Sequence, residues 1–157
     1  MVTCQFHITL DQLGIGVHHL GLERIVYHIQ KYFRLEFHPY LGIGILEEPI
    51  VCTMERGYIT RMEGGPEADR LREYLSSFGD HNCFNVAELG VGLNPNARLT
   101  GEMLEDEGVL GTIHIGIGTS HTLGGEIVAP THYDLLMWEP TIEVDGRVVQ
   151  QDKEVFG

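Results

Sequence analysis

Residues 112–118 read Thr-Ile-His-Ile-Gly-Ile-Gly, with Thr112, His114 and Gly116 alternating with Ile113, Ile115 and Ile117. Successive side chains of a β-strand point to opposite faces. A period of two therefore predicts a strand with three isoleucines on one face and His114 on the other. His132-Tyr133-Asp134 opens a second apolar run that ends at Trp138. Residues two apart share a face, so His132 and Asp134 project together and Tyr133 projects opposite them. Two strands of this kind commit the chain to a sheet with one apolar face and one face bearing imidazole and carboxylate.

Company strengthens the chemical reading. Cys83–Leu89 alternates apolar and polar residues and contains Glu88, while Asp106 and Glu107 lie just before the His114 strand. A lone histidine on an apolar strand is commonly a satisfied core residue, but several donors on facing strands are the makings of a metal site. Neutral imidazole nitrogen and carboxylate oxygen suit zinc, iron, manganese or cobalt. His121, in a Gly/Ser/Thr-rich loop, and His81, in Gly79-Asp80-His81-Asn82, read as surface residues.

The rest of the chain supplies the frame. Pro49–Met54 and Tyr58–Met62 predict a hairpin turned at Glu55-Arg56-Gly57, with Gly57 in the left-handed conformation. Residues 66–78 predict the main helix, with Pro66 at its start, acids in its first turn, and Leu71, Tyr74, Leu75 and Phe78 on one stripe. Phe84–Val91 is expected as a strand. Leu99–Glu107 is expected as a short helix capped by Thr100, and its acids either face solvent or aim inward at the His114 strand. Asp145-Gly146 marks a hairpin between Thr141–Val144 and Arg147–Gln150. In residues 1–45, apolar positions 22, 25, 26, 29 and 33 form a helical stripe, and the five histidines there have no readable spacing. The fold expected is α+β, a mixed and mostly antiparallel sheet with one main helix. Residues 1–45 are left unassigned, 46–150 form the domain, and 151–157 form a polar tail expected to fray.

A chain of 157 residues can bury a core without staples. Its net charge of −13 argues against nucleic acid as a partner, since phosphate binding needs a basic face. Clustered carboxylates instead attract divalent cations or a cationic group such as a peptide N-terminus. No apolar run of about 18 residues is present, so no membrane span is expected. The N-terminus lacks the order of a signal peptide. Cys4, Cys52 and Cys83 have no Cys-x-x-Cys spacing, which favours thiols in a reducing cytoplasm. Nor is there a Rossmann or P-loop glycine pattern.

Three stretches carry a family resemblance: Ala-Glu-Leu-Gly-Val-Gly-Leu-Asn-Pro at 87–95, Leu-Glu-Asp-Glu-Gly-Val-Leu-Gly-Thr-Ile-His-Ile-Gly-Ile-Gly at 104–118, and His-Tyr-Asp-Leu-Leu-Met at 132–137. From about Leu46 to about Val149 the chain resembles the C-terminal part of the thermophilic aminopeptidases, the leucyl aminopeptidase T family of metallopeptidases. The same scaffold is similar to an iron-dependent dihydroxypyridine ring-cleaving dioxygenase.

The resemblance implies a metal-dependent aminopeptidase, a hydrolase holding a pair of zinc, cobalt or manganese ions. Glu88, His114, His132 and Asp134 stand at ligand positions, and Glu107 stands at the position of the general base. Two such ions about 3.5–4 Å apart polarise a scissile carbonyl and generate hydroxide at neutral pH, and Glu107 would relay the proton. A peptide or other small molecule is the implied substrate, and a cytoplasmic homodimer the implied state. Family members are longer and carry a further N-terminal domain. Their first metal-binding glutamate lies upstream of the match, where Glu47 or Glu48 is the nearest candidate. His121 stands where the peptidases have a tyrosine. The alternatives are a mononuclear non-haem iron ring-cleaving dioxygenase, for which two histidines and a carboxylate are the usual donors, and a non-catalytic metal-binding or subunit-interaction domain.

Overall fold

The computed structural model describes residues 4–8 and 25–35 as backbone, and residues 46, 48, 50–144 and 146–156 with their side chains. Along the chain the strands are β1 (Cys4–Ile8), β2 (Ile25–Leu35), β3 (Val51–Glu55), β4 (Tyr58–Glu63), β5 (Val86–Val91), β6 (Thr112–Gly118), β7 (His132–Val144), β8 (Arg147–Gln151) and β9 (Glu154–Val155). Helix α1 (Pro66–Ser77) lies between β4 and β5, and the single-turn helix α2 (Met103–Asp106) lies between β5 and β6. One antiparallel sheet runs in the order β1-β2-β7-β6-β5, with β8 joined to β7 and β9 joined to β8. β3 and β4 form a separate hairpin. This is the mixed α+β, mostly antiparallel architecture that the sequence predicts, with residues 66–77 as its main helix.

The period-two strands fall as expected. Ile113, Ile115 and Ile117 of β6 enter the core with Tyr133, Leu135 and Met137 of β7. Ala68, Leu71 and Leu75 of α1 pack into the same core, as do Ile59 and Met62 of β4. Fully burying a leucine contributes about 1.5–3 kcal/mol, so the helix stripe and the isoleucine row hold each other in place. Ala68 completes that stripe, whereas Phe78 stays partly exposed and meets Tyr74 edge-on at 5.1 Å. In the β3–β4 turn both Arg56 and Gly57 have positive φ, at 52° and 83°. Two such residues make the turn whose twist matches that of a hairpin.

Several segments differ from the sequence reading. The helical stripe at residues 22–33 is instead strand β2, paired along β7 from Ile25↔Val144 to Leu35↔Leu135. Ile25, Val26, Tyr27, Ile29, Tyr32 and Phe33 are β-branched or aromatic residues that suit strands, and the edge of β7 decides between the two periods. The Thr141–Val144 segment is the continuation of β7, which bends at Glu139 with φ of 54°. The strand expected from Phe84 starts at Val86, after a 3-10 turn at His81–Phe84 capped by the Asp80 carboxylate. Helix α2 begins at Met103 with Glu102 in the cap position, and Thr100 lies outside it. The tail turns back as β9, with Phe156 N–H donating to the Val149 carbonyl at 2.9 Å. Gly146 has φ of 78°, as its turn requires, while Asp145, Glu47, Pro49 and most of residues 1–45 lie outside the described residues.

Candidate metal centre

The sheet register lays out the centre. Glu88 of β5 lies opposite Gly116 of β6, and Gly116 lies opposite Asp134 of β7. Cross-strand neighbours share a face, so this row presents two carboxylates with a side-chain-free position between them. The adjacent rows pair Gly90 with His114 and Gly118 with His132. All four expected metal donors therefore project from the face opposite the isoleucine core, and their head groups meet. His114 Nε2 is 3.3 Å from Glu88 Oε1, His132 Nε2 is 3.1 Å from Glu88 Oε2, and His132 Nε2 is 3.2 Å from Asp134 Oδ1.

Glycines make the room. A Cβ at Gly116 would stand 2.6 Å from His132 Nε2 and 2.9 Å from Glu88 Cβ. One at Gly90 would stand 1.9 Å from His114 Cε1. All three distances are inside van der Waals contact, so the imidazoles occupy volume that only glycine leaves open. A glycine within a strand is the sequence sign of such close approach. The pairing that gives Gly90 and Gly116 this role is visible only in the register.

His132 is oriented by the backbone. Its Nδ1 lies 2.7 Å from the Thr119 carbonyl oxygen. A carbonyl only accepts, so Nδ1 carries the proton and Nε2 is turned toward the carboxylates. The ring's pKa is raised to about 9, chiefly because a protonated Nε2 gains Asp134 as a hydrogen-bonding partner. Burial opposes this, while the Thr119 carbonyl and the charges of Asp134 and Glu88 add to it. In the geometry present Asp134 Oδ1 is close to Nε2 but has no aligned donor.

Three buried side-chain nitrogen or oxygen atoms among the described residues lack a hydrogen-bond partner, and two belong to this cluster: His114 Nδ1 and Asp134 Oδ1. Orphaned buried acceptors are costly, and both atoms are of the kind a cation satisfies. Glu88, His114 and Asp134 each offer a donor atom within 4.8 Å of the others. Donors at about 2.0–2.2 Å from a shared ion lie within about 4.4 Å of one another, so small side-chain adjustments close the set. The donors fit a divalent cation.

Glu107 follows α2 and is half-buried. Burial raises its carboxyl pKa; His114 pulls it down, Asp134 and Glu88 push it up, and His132 pulls it down. Glu107 thus lies in the field of all four donors. Its neighbour Asp106 is buried and accepts from the N–H groups of Thr100 at 2.6 Å and Gly101 at 3.1 Å, which fastens the preceding loop to α2. The other candidates stand apart. His121 is exposed, His81 is exposed and stacks on Tyr58 at 4.5 Å, and Glu48 lies against Gly65 at the start of α1.

A sequence profile of the family described as NicX: 2,5-dihydroxypyridine 5,6-dioxygenase matches residues 43–157. The chain is 30% identical over 111 residues to the 2,5-dihydroxypyridine 5,6-dioxygenase of Pseudomonas putida, a match covering 65% of this chain and 32% of that protein. The solved structure of 2,5-dihydroxypyridine dioxygenase from Pseudomonas putida KT2440 shares the fold, with a TM-score of 0.66 and 22% identity over 85% of this chain and 43% of that one. The chain thus matches about a third of the length of its curated relative. These similarities overturn the aminopeptidase expectation, and with it the hydrolase and protease reading. The stretches that suggested a peptidase are those bearing Glu88, Glu107, His114, His132 and Asp134. Imidazole and carboxylate donors serve hydrolysis and oxygen chemistry alike.

Proposed function

Because the chain belongs to the 2,5-dihydroxypyridine 5,6-dioxygenase (NicX) family, we propose that it binds a divalent cation, iron(II), for the oxidative opening of a hydroxylated, nitrogen-containing aromatic ring. The convergence of Glu88, His114, His132 and Asp134 on one face of the sheet carries this reading. Two imidazoles with carboxylate are the donors by which non-haem oxygenases hold iron(II). In this reading His114, His132 and Asp134 hold the ion, and Glu88, which reaches both imidazoles, completes or steadies the set.

Iron(II), when bound, supplies the redox chemistry that allows dioxygen to react with an electron-rich ring. The protein's own part is to hold, orient and deprotonate. Thr119 keeps the His132 ring turned with Nε2 inward. Glu107, its pKa raised by burial, would accept the proton of a ring hydroxyl and so leave the ring richer in electrons. A general base of this kind contributes about 10²–10⁴-fold.

The test is anaerobic loading with ferrous iron, metal analysis, and oxygen uptake with 2,5-dihydroxypyridine. A single bound iron, with oxygen consumed mole for mole with the substrate, is the expected result. His114→Ala should lose iron and uptake together, whereas Glu107→Gln should keep iron and lose about 10²–10⁴-fold in rate. Failure to bind iron would overturn the proposal, and iron bound without uptake would reduce the chain to a metal-binding module.

A further inference from the structure

The His132 ring is aimed by a carbonyl, and that carbonyl must itself be held. Thr119 follows Gly118 at the end of β6, so one planar peptide joins them. Asn85 grips that region from below. The Gly118 N–H donates to the Asn85 carbonyl at 2.7 Å, and the Asn85 Nδ2 donates back to the Gly118 carbonyl at 3.0 Å. From the other side, Thr119 N–H donates to the Thr131 carbonyl at 2.8 Å. The oxygen and the N–H of one peptide plane are thus both fixed, and the next carbonyl is left directed at His132 Nδ1.

Asn85 is suited to this place. It is buried, and it is tied to the β3–β4 hairpin through its bridge to Tyr58 and through the adjoining Val86 N–H, which donates to the Gly57 carbonyl at 2.7 Å. Gly118 has φ of 110°, and a Cβ there would stand 2.1 Å from the Thr131 carbonyl oxygen, so no larger residue allows the clamp. A second brace runs from α1, where the Tyr74 hydroxyl lies 3.2 Å from Thr131 Oγ1.

We infer that Asn85 is a positioning residue for the metal centre: its amide holds the Gly118–Thr119 peptide so that the Thr119 carbonyl orients His132. This inference rests on reading His132 as a ligand, although the orientation itself needs no metal. Asn85→Asp keeps the shape but replaces the donor with an anion facing a carbonyl oxygen, and Asn85→Ala removes the donor. The metal-free readout is the Nδ1–H proton of His132 in ¹⁵N-filtered NMR, assigned by its absence in His132→Gln. It should be protected in the unaltered protein and be lost or shifted in either variant. The second readout is titration with cobalt(II), whose visible spectrum reports its ligands. Loss of an outer partner typically costs about 10–100-fold in metal affinity, and that loss with an altered spectrum is expected here. A folded Asn85→Asp that keeps the Nδ1–H signal unshifted, with cobalt affinity and spectrum unchanged, would overturn the inference. If the unaltered protein binds no cobalt, the metal reading fails, while the NMR signal still decides whether Asn85 orients the ring.

Discussion

His132 uses its two nitrogens differently, and this fixes a pH dependence. Nδ1 is committed to Thr119, so any cation must take Nε2, the position where a proton binds in the metal-free protein. With that proton held up to about pH 9, cation binding below this value displaces it, and affinity should rise about tenfold per pH unit before levelling off. The metal-free protein should behave in the opposite sense. A histidine pKa raised from 6.5 to about 9 contributes stability that is full below pH 6.5 and is lost as pH rises through 9. Calorimetric titration of zinc at several pH values, beside thermal melts of the metal-free protein, would reveal both slopes. Parallel slopes would contradict the assignment. At this scale Glu88, His114, His132 and Asp134 were legible because period two puts side chains on a face. Thr119 and Asn85 were not, because one acts through a carbonyl 13 residues from its partner and the other through an amide 33 residues away.

Among the elements, β6 matters through what it omits. Gly116 sits in register between Glu88 and Asp134, so a methyl group there must push aside the His132 ring or the Glu88 stem. Gly116→Ala should cost about 1–3 kcal/mol of stability by overpacking and weaken cobalt binding markedly. Adding His132→Ala should recover part of the stability cost, a coupling that a double-mutant cycle on chemical denaturation measures. Costs that simply add would show that the ring does not fill that space. Helix α1 and hairpin β3–β4 were readable because Pro66, the leucine stripe and Arg56-Gly57 are local signals. β2 is hidden in the sequence for the complementary reason. Its apolar positions satisfy a helical period, and only the edge of β7, 100 to 119 residues later, selects the strand.

For the molecule as a whole, the two faces of the sheet have separate duties. One packs on α1 and β3–β4, and the other bears the donors. Among the described residues no helix is long and apolar enough to cross a membrane. The frame is legible in the sequence but the chemistry is not, since imidazole and carboxylate donors serve hydrolysis and oxygen chemistry alike. A net charge of −13 attracts divalent ions broadly, so specific binding needs a stability test. A cation at about 100 times its dissociation constant should stabilise the fold by about 2.7 kcal/mol, read as a raised melting temperature. The rise should vanish in His114→Ala, and its persistence there would place the binding among surface acids. The strand register has a kinetic consequence. Glu88 meets His132 across 44 residues and His114 across 26, so the β6–β7 pair that bears His114, His132 and Asp134 gains its fourth donor only when β5 joins it, and long-range pairings form slowly. A cobalt colour developing during refolding would therefore act as a clock on the closing of β5, β6 and β7, whatever the moment at which α1 and the β3–β4 turn form.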